Sequence, residues 1–185
     1  TIIVEVMGNK VGWLTLYSGL AAGADAILIP EIPYDEEKLA EFIKTKKQSS
    51  RSVVVAVAEG VMSVREAAMS KKERREYLSS FGSATAAERL TAVMTDKTGV
   101  QCRSTVLGHI QRGGEPCAYD KFISTEIGAF GAHLAKVGRY GVTVCIRNNK
   151  LGYNMLVDIA GKTKRVPADG QLVLLAKDLG IYFGD

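Results

Sequence analysis

The sequence predicts an α/β fold, a mostly parallel sheet flanked by helices, and three observations carry that expectation. Short, continuous, β-branched runs recur along the chain, at about 2–6, 26–30, 52–59 and 102–107, as they do in strands buried on both faces. The stretches between them place apolar residues at i, i+3 and i+4, the spacing of an amphipathic helix. The two kinds of segment alternate, as they do when helices carry the chain between parallel strands.

Taken in order, "TIIVEV" opens the chain with the first strand, at 2–6, and a helix follows over 11–22. "AILIP" is the second strand. Asp35 is placed to cap a helix that keeps Leu39, Phe42 and Ile43 on one face. "SVVVAVAE" is the third strand, and the polar stretch 63–80 is helix-prone. A helix over 84–97 puts Ala86, Leu90, Val93 and Met94 on one side, and the fourth strand spans 102–107. Pro116 suits the first turn of a long helix, whose inner face would be Ile123, Ile127, Phe130, Leu134 and Val137. "VTVCIRNN" at 142–149 reads as a fifth strand ending in an Asn-Asn turn, with "YNMLVDI" as its hairpin partner. A last helix covers 169–179, and Gly180 stops it. No internal repeat, low-complexity segment or linker interrupts this order.

The bulk properties exclude several function classes. Formal net charge is +4 over 185 residues, with both signs interleaved, whereas a nucleic-acid footprint needs a concentrated basic stripe. The one dense run, "KKERRE" at 71–76, carries both signs and reads as a solvated helix face. Cys102, Cys117 and Cys145 form no C-x-x-C pair, which fits reduced thiols in a cytoplasmic protein. No apolar run approaches the ~20 residues of a membrane helix, and no leader pattern opens the chain. The chain begins inside a strand-like run, so an N-terminally incomplete domain is expected.

Ligands of open parallel sheets bind beyond the carboxyl ends of the strands, so the residues that follow each strand are the candidates. The first strand leads into "MGNKVGW", the second into Pro30 and Glu31, the third into Glu59 and Gly60, and the fourth into His109 and Arg112. Two cations three residues apart can face one way and hold a phosphate oxygen through charge-assisted hydrogen bonds. A carboxylate accepts from alcohols. Together they suit a phosphorylated polyol such as a sugar phosphate. Gly113 and Gly114 would let backbone come close, and the following helix N-terminus would add its dipole. The plainer alternative makes His109 a structural residue, Arg112 a surface one, Glu59 a helix cap and Met7 ordinary core. Arg103 lies near the start of the fourth strand and His109 past its end, roughly 20 Å apart in extended chain. One phosphate cannot touch both within a subunit. Arg103 is therefore either structural or part of a neighbouring subunit's site.

"TVLGHIQRGGEPCAYDK" closely resembles the 6-phosphofructokinase family, and so do "VEVMGNKVGW", "SGLAAGADAILIPEIPYD" and "VVVAVAEG". Their order and spacing also match, apart from a longer segment between Glu59 and Arg103, and the resemblance covers about residues 1–147. It implies phosphoryl transfer to the 1-hydroxyl of fructose 6-phosphate with Mg2+, ATP or pyrophosphate being the donor. By residue, it implies that Met7 and Gly8 lie beside the sugar and that Glu59 binds a sugar hydroxyl. His109 and Arg112 would hold the 6-phosphate, and Arg103 would serve the adjacent subunit of a homo-oligomer. The fold implied is the Rossmann-like sugar-phosphate half of a two-domain enzyme. Residues 1–140 would form the fructose 6-phosphate-binding domain, and 141–185 a C-terminal hairpin and helix that complete the fold or pack on a missing N-terminal domain.

Departures from the family pattern matter equally. Its M-G-R motif is here M-G-N, so uncharged Asn9 replaces the arginine that meets the transferred phosphoryl group, and Lys10 is the nearest cation that could compensate. The catalytic aspartate segment, T-I-D-x-D, and the donor and magnesium loop are not in this chain. The base and the metal ligands are expected upstream of Thr1, and the 185 residues alone are expected to be inactive. Asp25 matches the acidic magnesium ligand of an allosteric site found in some members, although "KKQSSRS" at 46–52 keeps only part of the accompanying positive charge. Asp25 otherwise simply starts the strand at Ala26. Two alternatives remain: a non-catalytic phosphosugar-binding subunit, which Asn9 favours, and a kinase of the same fold for another phosphorylated sugar.

Overall fold

The computed structural model describes residues 1–49, 52–82 and 84–185. The first compact unit comprises Thr1–Gln111 and Arg165–Asp185, and the second Arg112–Lys164. Position 140, the expected boundary, falls within the second unit, and residues 165–185 belong with the sheet.

The first unit is built on four strands: β1 (Ile2–Val6), β2 (Ala26–Leu28), β3 (Val54–Ala58) and β4 (Arg103–Val106). They pair in the order β2-β3-β1-β4, and every pairing is parallel. Successive strand residues point to opposite faces, so the apolar runs feed two cores. On one face Ile3, Leu28, Val55 and Val57 pack with Leu39 and Ile43 of α2 (Glu36–Ser49) and with Leu90 and Met94 of α5 (Ala86–Thr98). On the other, Ile27 and Ala56 meet Leu16 of α1 (Trp13–Ala22) and Val173 and Ala176 of α8 (Gln171–Asp178), with Phe183 beside them. The result is the expected helix–sheet–helix sandwich.

Strands two to four and the last helix are shorter than the expected ranges, and one expected helical stretch is divided. The second strand stops at Leu28, because the chain turns where the Ile32 N–H donates to the Ile29 carbonyl at 3.2 Å. The stretch 63–80 forms two helices, α3 (Val64–Ala67) and α4 (Lys71–Ser79). Ser63 and Ser70 each open a capping box, with Glu66 and Glu73, and this restarts the helix. The "KKERRE" run lies in α4, which buries none of its residues.

Asp35 caps α2 as expected. Its Oδ1 accepts from the Lys38 N–H at 3.0 Å and from the Glu37 N–H at 2.9 Å. These backbone bonds, that from Lys38 first, hold its carboxyl below the usual carboxylate value. A depressed folded-state pKa stabilises above the unfolded value of about 3.9 and is lost as pH falls through the folded one. Asp35→Asn keeps a capping oxygen but cannot titrate. Urea midpoints should nearly coincide at pH 7, and on acidification the parent should lose more stability than the variant.

The tail of the chain reaches the outer edge of β2. Tyr182 bridges Ala26 in parallel, its carbonyl accepting from the Ile27 N–H at 2.8 Å and its N–H donating to the Asp25 carbonyl at 3.0 Å. That single bridge covers part of the outer edge of β2. Gly180 has φ 81° and follows α8 as its stop.

The second unit holds α6 (Ala118–Lys136), β5 (Val142–Arg147), β6 (Lys150–Met155) and α7 (Leu156–Ile159). β5 and β6 form an antiparallel hairpin. Its two turn residues, Asn148 and Asn149, have φ of 50° and 59°, the left-handed pair that a two-residue hairpin requires and asparagine tolerates. "LVDI" is helical rather than part of the return strand. Pro116 lies outside the first turn of α6. The Cys117 N–H donates to Asp120 Oδ2 at 3.0 Å, and the helix begins at Ala118. Of the expected inner face only Leu134 is buried; Ile123 and Phe130 are half-buried, and Ile127 and Val137 are exposed. A two-stranded hairpin is too small to cover a helix of 19 residues.

Candidate phosphosugar site

Because the sheet is parallel, the carboxyl ends of β1, β3 and β4 open onto one edge. Val6 pairs with Ala58, and Glu5 with Val106. The loops that follow are Met7–Lys10 after β1, Glu59 and Gly60 after β3, and the 3-10 turn Gly108–Arg112 after β4. Glu59 starts with its own N–H bonded to the Val6 carbonyl at 3.1 Å.

Side chains from the flanking strands hold the loop after β1. Glu59 Oε1 accepts from the Gly8 N–H at 3.2 Å and also from the Asn9 N–H. From the other side, Gln111 Oε1 accepts from the Met7 N–H at 3.2 Å. The loop closes on itself through Val11 N–H to the Gly8 carbonyl, 3.1 Å. Asn9 sits at φ 54°, a left-handed conformation in which asparagine is enriched several-fold. Asparagine at the family's arginine position thus matches the local backbone. Gly60 makes the arrangement possible: a Cβ there would lie 1.9 Å from the Asn9 carbonyl oxygen.

Glu59, Met7, Gly8 and the turn carrying His109 are therefore linked through hydrogen bonds on one sheet edge. Glu59, His109, Asn9 and Lys10 are exposed, and Met7 and Gly8 half-buried. Glu59 spends Oε1 on the loop, which leaves Oε2 to accept from an alcohol. Arg112 is exposed and ends the 3-10 turn, at the first position of the second compact unit.

Arg103 sits at the other end of the sheet. It pairs with Ile2, and its N–H donates to the Thr1 carbonyl at 3.0 Å. Its side chain is exposed at the strand's amino end, away from the loops above. Asp25 is engaged in the fold. Its Oδ2 accepts from the Val54 N–H at 2.9 Å, and Oδ1 meets Lys46 Nζ at 3.2 Å. Ser50 and Arg51 of the "KKQSSRS" segment lie outside the described residues.

Glu31, at the exit of β2, also serves the fold. Its carboxylate accepts from the Gly12 N–H, at 3.1 and 3.2 Å, and from the Val166 N–H at 3.0 Å. It occupies the N-terminus of α1 and pins the tail. Sequence reasoning did not single out Gln111. Its signal was its position in "GHIQRGG", an uncharged amide between the two expected phosphate ligands. Among the described residues no three His, Cys, Asp or Glu side chains cluster as metal ligands would, and no helix is long and apolar enough to cross a membrane.

The phosphofructokinase family model matches residues 1–135. The chain belongs to the phosphofructokinase family. It is 40% identical, over its full 185 residues, to an ATP-dependent 6-phosphofructokinase of Spirochaeta thermophila, and covers 50% of that protein. It is 35% identical over 187 residues to a pyrophosphate–fructose 6-phosphate 1-phosphotransferase of Streptomyces coelicolor, covering 99% of this chain and 52% of that protein. The chain thus spans about half the length of these phosphofructokinase relatives. A crystal structure of a pyrophosphate-dependent phosphofructokinase from Marinobacter aquaeolei matches with a TM-score of 0.72 at 23% identity, covering 98% of this chain and 44% of that one. At that identity the likeness is one of fold, and it agrees with the parallel α/β sandwich.

Proposed function

We propose that this chain is the C-terminal, sugar-phosphate half of a 6-phosphofructokinase, which transfers a phosphoryl group to the 1-hydroxyl of fructose 6-phosphate. The observation that carries the reading is the bonded group of loops on one sheet edge: Glu59 to Gly8 and Asn9, and Met7 to the Gln111 side chain of the His109 turn. In this reading Met7 and Gly8 flank the sugar and Glu59 Oε2 accepts from one of its alcohols. His109 and Arg112 hold the 6-phosphate through charge-assisted bonds. The substrate domain is built on the first compact unit, Thr1–Gln111 with Arg165–Asp185, in place of the expected division into 1–140 and 141–185. Arg103, remote within its own chain, serves a neighbouring subunit of a homo-oligomer. Fixing both ends of the sugar aims the 1-hydroxyl, and positioning supplies much of the rate in phosphoryl transfer.

The donor is ATP or pyrophosphate; the names of the relatives include both. In this reading magnesium takes its ligands, and the 1-hydroxyl its base, from the other half of the enzyme. The 185 residues alone are then inactive. The compartment is the cytoplasm. An effector role for Asp25 competes with the bonds it already makes to Val54 and Lys46.

Asn9 supports a second reading, a phosphosugar-binding subunit without turnover. Electrostatic stabilisation is the protein's main contribution to phosphoryl transfer, and a neutral amide supplies less of it than a guanidinium at the arginine position. Lys10 is a point charge rather than a bidentate fork. Full-length protein carrying this chain should form fructose 1,6-bisphosphate with ATP or with pyrophosphate. Fructose 6-phosphate binding without transfer from either donor selects the binding-subunit reading. Turnover of a different phosphorylated sugar, with fructose 6-phosphate left unused, reassigns the substrate.

A further inference from the structure

Three successive N–H groups follow β1, and side chains from both neighbouring strand exits hold them: Glu59, after β3, accepts from Gly8 and Asn9, and Gln111, after β4, accepts from Met7. Gln111 works at both ends of its amide. While Oε1 accepts from Met7, Nε2 donates to the Gly108 carbonyl at 3.2 Å. Gly108 has φ 52° and immediately precedes His109. One half-buried side chain thus spans the exit of β1 and the exit of β4.

We infer that Gln111 is a positioning residue that sets the His109 turn against the Met7–Asn9 loop, and so fixes the distance between the phosphate end and the ring end of the bound sugar. The inference rests on the phosphosugar reading above. A carboxamide is suited to this because it accepts and donates from neighbouring atoms; glutamate only accepts, and leucine does neither. Both bonds are 3.2 Å, at the long end of the normal range. Their contribution is therefore more to geometry than to stability. Small misplacements of binding groups are costly in turnover, by up to about 100-fold for 1 Å.

The test uses Gln111→Leu and Gln111→Glu in the full-length protein, with two readouts. Amide exchange at Met7 should accelerate about 10-fold in Gln111→Leu, while Asn9, held by Glu59, stays protected. Gln111→Glu keeps the acceptor, so Met7 should remain slow. The KM for fructose 6-phosphate should rise roughly 10-fold in Gln111→Leu, with the unfolding midpoint close to that of the parent. Unchanged Met7 exchange overturns the tie itself. Faster exchange with an unchanged KM overturns the positioning role. A KM rise matched by general unfolding makes Gln111 merely structural. If the parent protein neither binds nor turns over fructose 6-phosphate, the functional reading fails and takes the sugar out of this inference. The exchange data then still decide whether Gln111 joins the two loops.

Discussion

Arg112→Ala in the full-length protein should raise the KM for fructose 6-phosphate by about 10- to 100-fold, with a smaller effect on fold stability than on binding. A guanidinium held to a phosphate makes charge-assisted hydrogen bonds of roughly 1.5–3 kcal/mol each, and each 1.4 kcal/mol is about a factor of 10. Arg112 is exposed, and surface substitutions away from special features usually shift stability by about 0.5 kcal/mol or less. Arg112→Lys should recover only part of the loss, since an ammonium cannot reproduce the planar fork. His109→Ala should act in the same direction. Steady-state kinetics over a range of fructose 6-phosphate concentrations measure all three. An unchanged KM in Arg112→Ala removes it from the clamp.

Gly60→Ala should be the most damaging single methyl in the site. The added carbon would lie 1.9 Å from the Asn9 carbonyl oxygen and 3.1 Å from its carbon. Both are backbone atoms, so no rotamer change relieves the overlap. The loop cannot slide freely either, because the Asn9 N–H is held by Glu59. Either the β1 loop moves away, breaking its bonds to Glu59 and Gln111, or β3 ends differently. Overpacking of this kind costs typically 1–3 kcal/mol, and here the strain falls on the residues proposed to flank the sugar. Urea unfolding and fructose 6-phosphate affinity should therefore both worsen. Gly128→Ala is the control: it lies within α6, a Cβ there meets nothing within 4 Å, and alanine is favoured over glycine in helix interiors by about 0.8–1.0 kcal/mol. Equal behaviour of the two variants would mean that the approach of Gly60 to Asn9 is not as tight as described.

The parallel sheet was legible in the sequence because a strand buried on both faces leaves a dense apolar run, as in "VVVAVA" at 53–58. The hairpin was legible because Asn148 and Asn149 suit a backbone few other residues tolerate. The Asp35 cap was legible because capping is local. Pro116 misled because proline also suits the residues just before a helix, and the Asp120 carboxylate starts α6 two residues later. The face of α6 was correct as a periodic pattern but not as burial, since a pattern says which side is apolar and not what covers it. Strand order did not follow from the sequence at all.

The site divides along the same line. Residue types at strand exits pointed to Met7, Gly8, Glu59 and His109, and a parallel sheet brings such exits to one edge. What local pattern cannot show is where a loop's polar side chain finds its partner. Glu31 and Glu59 are both carboxylates at strand exits, yet one holds Gly12 and Val166 and the other holds Gly8 and Asn9. Gln111 reaches a backbone group 104 positions away in the chain.

Crystals of the full-length protein grown with fructose 6-phosphate bear most directly on the site at this sheet edge. The 6-phosphate should lie within hydrogen-bond reach, about 2.7–3.2 Å, of His109 and Arg112, with Glu59 Oε2 on an alcohol oxygen of the same sugar. A sugar phosphate bound at any other edge of the sheet, or one that leaves Glu59 and His109 untouched, would remove the basis for placing the substrate here.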